Sequence, residues 1–176
     1  MKRAAFFDRD GTLNHLVWRN GKFSPPFFKA ELEIVPIAYK VISELRDLDF
    51  IPVIFTNQPD IARNKVTLES VNIINREIST ILGIKNIYTC IHDDADNCSC
   101  RKPLPGMLLS AANDLNIELS ESIVIGDSWR DVEAGQAVDC RCFLIENPQN
   151  IRLPNHPFEM IKSLGDVLSR LETKII

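Results

Sequence analysis

Short, continuous apolar runs recur along the chain and alternate with longer amphipathic segments. The runs cover residues 4–7, 51–55, 87–91, 123–125 and 142–145. Continuous apolar runs of this length are typical of strands that are buried on both faces of a parallel sheet. The pattern therefore predicts a doubly wound, Rossmann-like α/β fold in a single domain that covers residues 1–176.

The amphipathic segments between the runs predict helices at 37–48, 68–82, 105–115 and 129–138. Thr67 is predicted to cap the second of these helices, and Pro105 suits the first turn of the third. A last amphipathic stretch, 158–171, is expected to pack across the sheet. Since no other segment is long enough to form a separate cap domain, we expect loops to set specificity.

The composition is that of an ordinary globular protein, with 45% hydrophobic and 25% charged residues. The formal net charge of −4 provides no strong basic field, which argues against nucleic acid as a general partner. No apolar run approaches the roughly 18 residues that a membrane-spanning helix requires. The start of the sequence also lacks a signal-peptide pattern. We therefore expect a monomeric, cytoplasmic protein that contacts no membrane.

Polar residues follow four of the apolar runs. They are Asp8, Asp10, Thr56, Asn57, Arg101, Lys102, Asp127 and Asp131. In a doubly wound sheet, ligands bind beyond the carboxyl ends of the strands. The sequence therefore predicts that acids, a hydroxyl group and cations meet at one edge of the sheet.

The sequence FFDRDGTLN places Asp8 at the end of a strand and Asp10 two residues later, with Gly11 permitting a sharp turn. Two carboxylates this close repel each other unless a cation lies between them, which favours a divalent metal such as Mg²⁺. One carboxylate could attack phosphorus while the other transfers a proton. The alternative is a turn with two solvated acids.

The other strand ends supply groups that suit a phosphate. The hydroxyl of Thr56 could hold phosphate oxygens, although T-N-Q is also a common turn or cap. Lys102 could neutralise phosphoryl oxygens and Arg101 could bind another anionic group, or both could be a solvated basic pair. Asp127 would complete the magnesium site. Asp131 is interpreted as a helix N-terminal acid, with support of the metal as the alternative.

The five cysteines are an odd number, which argues against a disulfide framework. The pattern C-x-H-x5-C-x-C is formed by Cys90, His92, Cys98 and Cys100. Three thiolates and an imidazole are a closed tetrahedral ligand set for Zn²⁺, so we predict a structural zinc site. Arg101 and Lys102 follow the last ligand directly, and zinc would fix the loop that carries them. We expect Cys140 and Cys142 to be strand or strand-edge residues rather than metal ligands.

In their order and spacing, these motifs resemble the phosphatases of the haloacid dehalogenase superfamily, over residues 2–145. The resemblance implies a hydrolase in which Asp8 is the nucleophile that becomes an aspartyl phosphate and Asp10 is the general acid and base. It also implies that Thr56 and Lys102 steady the phosphoryl group. Magnesium would be held by Asp8, the backbone carbonyl of Asp10, and Asp127.

A zinc loop directly before R-K-P is similar to one branch of this superfamily, which contains heptose-bisphosphate phosphatases and histidinol-phosphate phosphatases. The stretches DRDGTLN, TNQPDIARNKVT and RKPLPGMLLSAA look like the heptose enzymes, whereas the five residues between His92 and Cys98 look like the histidinol enzymes. The resemblance thus implies a small phosphorylated substrate from carbohydrate metabolism, a heptose bisphosphate first and histidinol phosphate as the alternative. A polynucleotide-end phosphatase and an inactive zinc-bound scaffold are the remaining readings.

The chain also departs from the heptose enzymes. Ile37, Asp60 and Asn64 stand where glycine is usual, and segment 15–28 does not match the substrate loop of that family. Trp18, Arg19 and Lys22 of this segment are expected to line the substrate cleft. The resemblance implies that Arg101 and Ser128 contact the substrate, and Asn57 is expected to bind it with them.

Overall fold

The structure is a computed structural model that describes residues 1–149, 152–155 and 157–172. Within these residues, a six-stranded parallel sheet has the order β5-β4-β1-β6-β7-β8. Its strands are β1 (Arg3–Phe7), β4 (Phe50–Asn57), β5 (Asn86–Cys90), β6 (Ile123–Gly126), β7 (Arg141–Ile145) and β8 (Glu159–Ile161). The strand order reverses between β1 and β6, which is the place where doubly wound sheets form their ligand crevice.

Helices cover both faces of the sheet. They are α1 (Ala38–Asp47), α2 (Leu68–Leu82), α3 (Gly106–Leu115), α4 (Trp129–Gln136) and α5 (Asp166–Glu172). Successive residues of β1 face opposite sides, so Phe7 packs in the core with α1, α2 and α5, while Phe6 packs in the core with α3 and α4. The predicted doubly wound α/β fold is confirmed. None of the helices in the described ranges is long and apolar enough to cross a membrane.

Local signals mark the starts of two helices, and the first of these starts is as predicted. The hydroxyl of Thr67 accepts a hydrogen bond from the backbone N–H of Ser70, at 3.1 Å, and so caps α2. Pro105 occupies the N-cap position of α3, which begins one residue later than predicted, at Gly106.

The prediction for 158–171 was wrong in its first part. Glu159–Ile161 does not pack across the sheet but extends it as β8, parallel to β7. In this edge strand Met160 is exposed and Ile161 is buried, because successive side chains of a strand point to opposite faces of the sheet. The helix α5 begins only at Asp166.

Segment 15–28 contains an antiparallel hairpin of β2 (Val17–Arg19) and β3 (Lys22–Ser24). Its turn residues, Asn20 and Gly21, both have positive φ angles, of 51° and 80°. An Asn-Gly pair adopts this mirror-image turn more readily than most pairs, because its twist matches that of the strands. The hairpin lies beyond the carboxyl end of β1, beside the crevice.

Candidate active site

Three carboxylates meet at the reversal of strand order. Asp8 follows β1, Asp127 follows β6, and Asp131 lies in the first turn of α4; their oxygens are within 4.8 Å of one another, and all three residues are buried. Gly11 makes this possible, because a Cβ atom there would lie 2.3 Å from Oδ2 of Asp127. Its φ angle of +87° also favours glycine.

Lys102 lies between two of these acids. Its Nζ atom donates hydrogen bonds to Oδ1 of Asp8 at 2.7 Å and to Oδ1 of Asp131 at 2.6 Å. A third hydrogen bond goes to the carbonyl of Phe55 at 2.9 Å, so the ammonium group is fully used. The side chain is only 3% exposed, which makes this a buried charge network rather than a surface ion pair.

The pKa values show how crowded with negative charge the site is. Burial raises the pKa of Asp8 well above its usual range; Lys102 opposes this, and the neighbouring carboxylates add to it. Burial and Asp131 raise the pKa of Asp127 to about 7. Burial lowers the pKa of Lys102, but its two carboxylate partners outweigh burial and the net pKa is raised. A bound divalent cation would stabilise the ionised acids, so the donor set suits one.

The carboxylate of Asp10 is held within the protein. Arg9 donates to both of its oxygens, at 3.1 Å and 2.9 Å, and Asn14 donates to Oδ1 at 3.0 Å. Gln58 donates to Oδ2 at 2.7 Å. The carboxylate of Asp10 therefore lies outside the cluster of three acids, although Asp10 lines the same cleft.

Thr56 and Asn57 follow each other at the end of β4 but make different hydrogen bonds. Oγ1 of the buried Thr56 accepts a hydrogen bond from Gln58 at 3.0 Å. The side-chain amide of Asn57 forms two hydrogen bonds of 3.1 Å with the backbone of Lys102, one to its carbonyl and one from its N–H. Asn57 thus fixes the loop that delivers the lysine.

Ser128 and Asp131 form a capping box at the start of α4. The hydroxyl of Ser128 accepts from the N–H of Arg130, and Oδ2 of Asp131 accepts from the N–H of Ser128. The helix-capping interpretation of Asp131 is therefore right, and the ion pair with Lys102 is an additional contact of the same side chain.

The cleft at this edge has a volume of about 390 Å³. The predicted site residues that line it are Asp8, Asp10, Asn57, Arg101, Lys102 and Ser128. The prediction that Trp18, Arg19 and Lys22 line this cleft is wrong. The hairpin forms a wall of an adjoining cavity instead, which Arg19 and Lys22 line, and Trp18 packs edge-on against Phe23 with 61% of its surface exposed.

Arg101 connects the cleft to the Cys/His loop. Its Nε atom donates to Oδ1 of Asp94 at 2.8 Å, and Nη1 donates to the carbonyl of His92 at 3.3 Å. Asp94 also lies 3.5 Å from the guanidinium group of Arg63. The guanidinium group of Arg101 is thus partly engaged at the side of the cleft.

Cys90, His92, Cys98 and Cys100 converge as the sequence pattern predicts. Their ligand atoms lie within 4.8 Å of one another and form a possible metal site. Sγ–Sγ distances are 3.7 Å from Cys90 to Cys98 and 3.5 Å from Cys98 to Cys100. Nδ1 of His92 lies 3.6 Å and 3.3 Å from the sulfurs of Cys90 and Cys100. Cys142 lies in β7 and Cys140 directly before it, both buried, as expected.

Sequence reasoning missed Arg9, Gln58 and Asn147. Arg9 and Gln58 hold Asp10, while Nδ2 of Asn147 donates to Oδ2 of Asp127 at 2.8 Å. For two of these residues, their position in the sequence just after a strand could have indicated a role in the site. Gln58 directly follows β4 and Asn147 lies two residues beyond β7, so both belong to the same set of strand ends.

Residues 25–139 match the family of haloacid dehalogenase-like hydrolases. The chain belongs to this family, and it is a phosphatase. It is 32% identical to the D-glycero-beta-D-manno-heptose-1,7-bisphosphate 7-phosphatase of Pseudomonas aeruginosa, over 96% of this chain and 95% of that protein. The enzyme of the same name from Bordetella bronchiseptica is 31% identical over 79% of this chain and 78% of that protein.

Solved structures of phosphatases share the fold of this chain. The D,D-heptose 1,7-bisphosphate phosphatase of B. bronchiseptica, complexed with magnesium and phosphate, has a TM-score of 0.84 at 26% identity and covers 99% of each chain. A putative phosphatase of this type from Mesorhizobium loti has a TM-score of 0.80 at 26% identity, over 98% of this chain and 87% of that one.

Proposed function

We propose that this protein removes the 7-phosphate of D-glycero-D-manno-heptose 1,7-bisphosphate, using Asp8 as a covalent nucleophile. The observation that carries the chemistry is the position of Asp8, buried at the floor of the cleft with Lys102 at 2.7 Å and Asp127 close by. The choice of substrate is supported by the 7-phosphatase of Pseudomonas aeruginosa, which aligns over 96% of this chain.

In the first step, an oxygen of Asp8 attacks phosphorus, and the bond between phosphorus and the sugar oxygen breaks. The sugar oxygen takes a proton from Asp10. In the second step, Asp10 takes a proton from water as the water oxygen attacks phosphorus, and the bond to Asp8 breaks. Because both oxygens of Asp10 accept hydrogen bonds within the protein, each proton transfer requires that one of these bonds be exchanged for the reactant.

Asp8, the backbone carbonyl of Asp10, and Asp127 would hold Mg²⁺. When bound, magnesium would offset the repulsion between the carboxylate of Asp8 and the phosphoryl oxygens. Thr56 and Lys102 would steady the phosphoryl group from the chain itself. Asn57, Arg101 and Ser128 line the cleft and are proposed to contact the substrate.

The cluster of Cys90, His92, Cys98 and Cys100 is proposed to hold a structural Zn²⁺. A tetrahedral zinc ion with bonds of about 2.3 Å to sulfur has ligand sulfurs about 3.8 Å apart, and the observed sulfur separations of 3.5 Å and 3.7 Å are close to this. All four ligands come from the protein, so the ion would have no open position for catalysis. Zinc would fix the segment that continues into Arg101 and Lys102.

Histidinol phosphate is the second candidate substrate, favoured by the five residues between His92 and Cys98. We further propose that the chain acts as a single domain without a cap. The monomeric state and the cytoplasmic location stay predictions of the sequence.

The test is kcat/KM with Mg²⁺ for heptose 1,7-bisphosphate, hexose bisphosphates and histidinol phosphate. We expect heptose 1,7-bisphosphate to give the highest kcat/KM. Its products should be one inorganic phosphate and heptose 1-phosphate. A higher kcat/KM for histidinol phosphate would overturn the proposed substrate while leaving the chemistry of Asp8 in place.

A further inference from the structure

Gln58 lies directly after β4 and joins two residues that are proposed to act on the phosphoryl group. The residue is buried, with 2% of its surface exposed. Its Nε2 atom lies 2.7 Å from Oδ2 of Asp10 and 3.0 Å from Oγ1 of Thr56. One amide nitrogen thus contacts both the proposed general acid and the proposed phosphate-binding hydroxyl group.

The backbone of Gln58 is held by residues on two sides. Its N–H donates to the carbonyl of Cys90 at 2.7 Å, and its own carbonyl accepts from the N–H of Ile61 at 3.3 Å. Cys90 is the last residue of β5, which pairs with β4 in parallel. The side chain of Gln58 therefore starts from a backbone that is fixed to two neighbouring strands.

The charge of Asp10 decides which end of the Gln58 amide faces the two oxygens. Asp10 is ion-paired with Arg9 at 2.9 Å, and an ionised carboxylate can only accept hydrogen bonds. The carbonyl oxygen of the amide would repel it, so the NH₂ group must face Asp10. The same nitrogen carries a second hydrogen, which it donates to Oγ1 of Thr56.

The amide therefore sets the direction of the hydroxyl group of Thr56. Because Oγ1 accepts from Gln58, its own hydrogen cannot point toward the same nitrogen and is left for another acceptor. A hydroxyl group that accepts one hydrogen bond is also a stronger donor in the next, since linked hydrogen bonds polarise one another. Thr56 is thus prepared to donate to an anionic oxygen.

The position of Thr56 in β4 places this donor beside the catalytic cation. The residue before it, Phe55, accepts a hydrogen bond from Nζ of Lys102 at 2.9 Å through its carbonyl. The residue after it, Asn57, binds the backbone of Lys102 and lines the cleft. A phosphoryl group that is held by Lys102 therefore lies close to Thr56 as well.

We propose that Gln58 is a positioning residue, which fixes the hydroxyl group of Thr56 as a donor to an oxygen of the transferred phosphoryl group. Gln58 does not contact the substrate itself. It acts through Thr56, and its second hydrogen bond, to Asp10, keeps the amide in the orientation that this role requires. The inference deepens the proposed function and rests on it.

The test measures the inhibition constant of inorganic phosphate against the magnesium-dependent hydrolysis of an aryl phosphate. The variants are Gln58→Met, which has a similar shape but cannot donate, Thr56→Val, and the double variant. Gln136→Met is the matched control, because Gln136 ends α4 and donates to the carbonyl of Pro157 at 2.9 Å, away from the cleft. Circular dichroism shows whether each variant is folded.

We expect Gln58→Met to raise the inhibition constant about fivefold, which is the loss of part of one charge-assisted hydrogen bond. The control should keep the wild-type constant. Thr56→Val should raise it at least as much as Gln58→Met. The double variant should bind phosphate as well as Thr56→Val does, since the hydroxyl group through which Gln58 acts is already gone. An unchanged constant in Gln58→Met, or two factors that multiply in the double variant, overturns the proposal.

Gln58→Asn keeps the test independent of the folding of one variant. It retains the amide but is one methylene shorter, so it cannot reach both oxygens, and it should weaken phosphate to a similar degree. Added to Thr56→Val, it should again have no further effect, and a further effect contradicts the proposal. Phosphate is a product of every candidate substrate, so these outcomes do not depend on which one is hydrolysed. Failure of Asp8 as the nucleophile is seen separately, as activity that survives in Asp8→Asn.

Discussion

The Nζ atom of Lys102 lies 2.7 Å from Oδ1 of Asp8, although the two residues are 94 positions apart in the sequence. Asn57 fixes the backbone that carries the lysine, because its side-chain amide donates to the carbonyl of Lys102 and accepts from the N–H of Lys102. The lysine also donates to the carbonyl of Phe55 in β4 and to Asp131 in α4, so it links the end of β1 to β4 and to the first turn of α4. The nucleophile, the cation and the helix cap are therefore parts of one buried network.

Replacing Lys102 with methionine should destabilise the protein by about 3 kcal/mol, because two buried carboxylates lose their partner. Turnover should also be lost. Denaturant unfolding of Lys102→Met, Asp131→Asn and the double variant measures the coupling. The double variant should be more stable than Lys102→Met, because the buried charge of Asp131, which has lost its partner, is also removed. A single variant as stable as the wild type contradicts a buried ion pair.

Removing a sulfur ligand should remove zinc. We expect about one zinc per chain in protein dialysed against a weak chelator, and a large loss of zinc in Cys98→Ser. Cys140→Ala is the control and should retain zinc, since Cys140 lies outside the cluster. Elemental analysis gives the answer, and a folded wild-type protein without zinc is incompatible with this site.

Magnesium should support activity and calcium should inhibit it. Mg²⁺ keeps near-octahedral oxygen geometry, whereas Ca²⁺ accepts more ligands at longer distances. The extra coordination would engage the second oxygen of Asp8 and misalign its attack. Initial rates at equal concentrations of the two ions test this, and full activity in calcium alone would refute the geometric argument.

Glu31 should make the hairpin region sensitive to acid. Burial raises the pKa of its carboxyl group, but hydrogen bonds from Arg19 and the N–H of Phe27 outweigh burial, so the pKa is below its ordinary 4.5. A lowered pKa in the folded state means that the contribution to stability is complete above pH 4.5 and disappears as the pH falls through the folded pKa.

The matching variant is Glu31→Gln. This variant should lower the free energy of unfolding by up to about 1 kcal/mol at pH 7. Its difference in stability from the wild type should become smaller at acid pH. Glu44→Gln is the control, because the side chain of Glu44 is 43% exposed and lies 3.6 Å from its partner Lys40. The free energies of unfolding of the wild type and of Glu31→Gln are measured at several pH values, and the difference between them should depend on pH. A constant difference would contradict the ion pair with Arg19.

The fold was predictable because its signals are local. The strand Arg3–Phe7 contains the continuous apolar run 4–7, and polar residues directly after such a strand must lie at the carboxyl edge of a parallel sheet. The same reasoning predicted the convergence of Asp8 and Asp127, and the spacing of Cys90 to Cys100 predicted the cluster.

What the sequence did not predict depends on three-dimensional partners. Gln58 binds Asp10 from a distance of 48 positions, and the residue type alone does not distinguish such a contact from a turn. The distances from the cleft to Arg19 and Lys22 depend on how the hairpin folds back. β8 was missed because three residues are too few to show a period.

The most direct test of the account is to find where phosphate is attached during turnover. Wild-type protein is mixed with substrate and Mg²⁺, quenched in acid and treated with borohydride, which reduces an aspartyl phosphate to homoserine. Mass spectrometry of the peptides then locates the modified residue, with Asp8→Asn as the control. We predict homoserine at position 8 in the wild type and nowhere else, and neither turnover nor modification in the folded variant. Modification at another residue, or turnover by Asp8→Asn above a few per cent of wild type, would contradict Asp8 as the nucleophile.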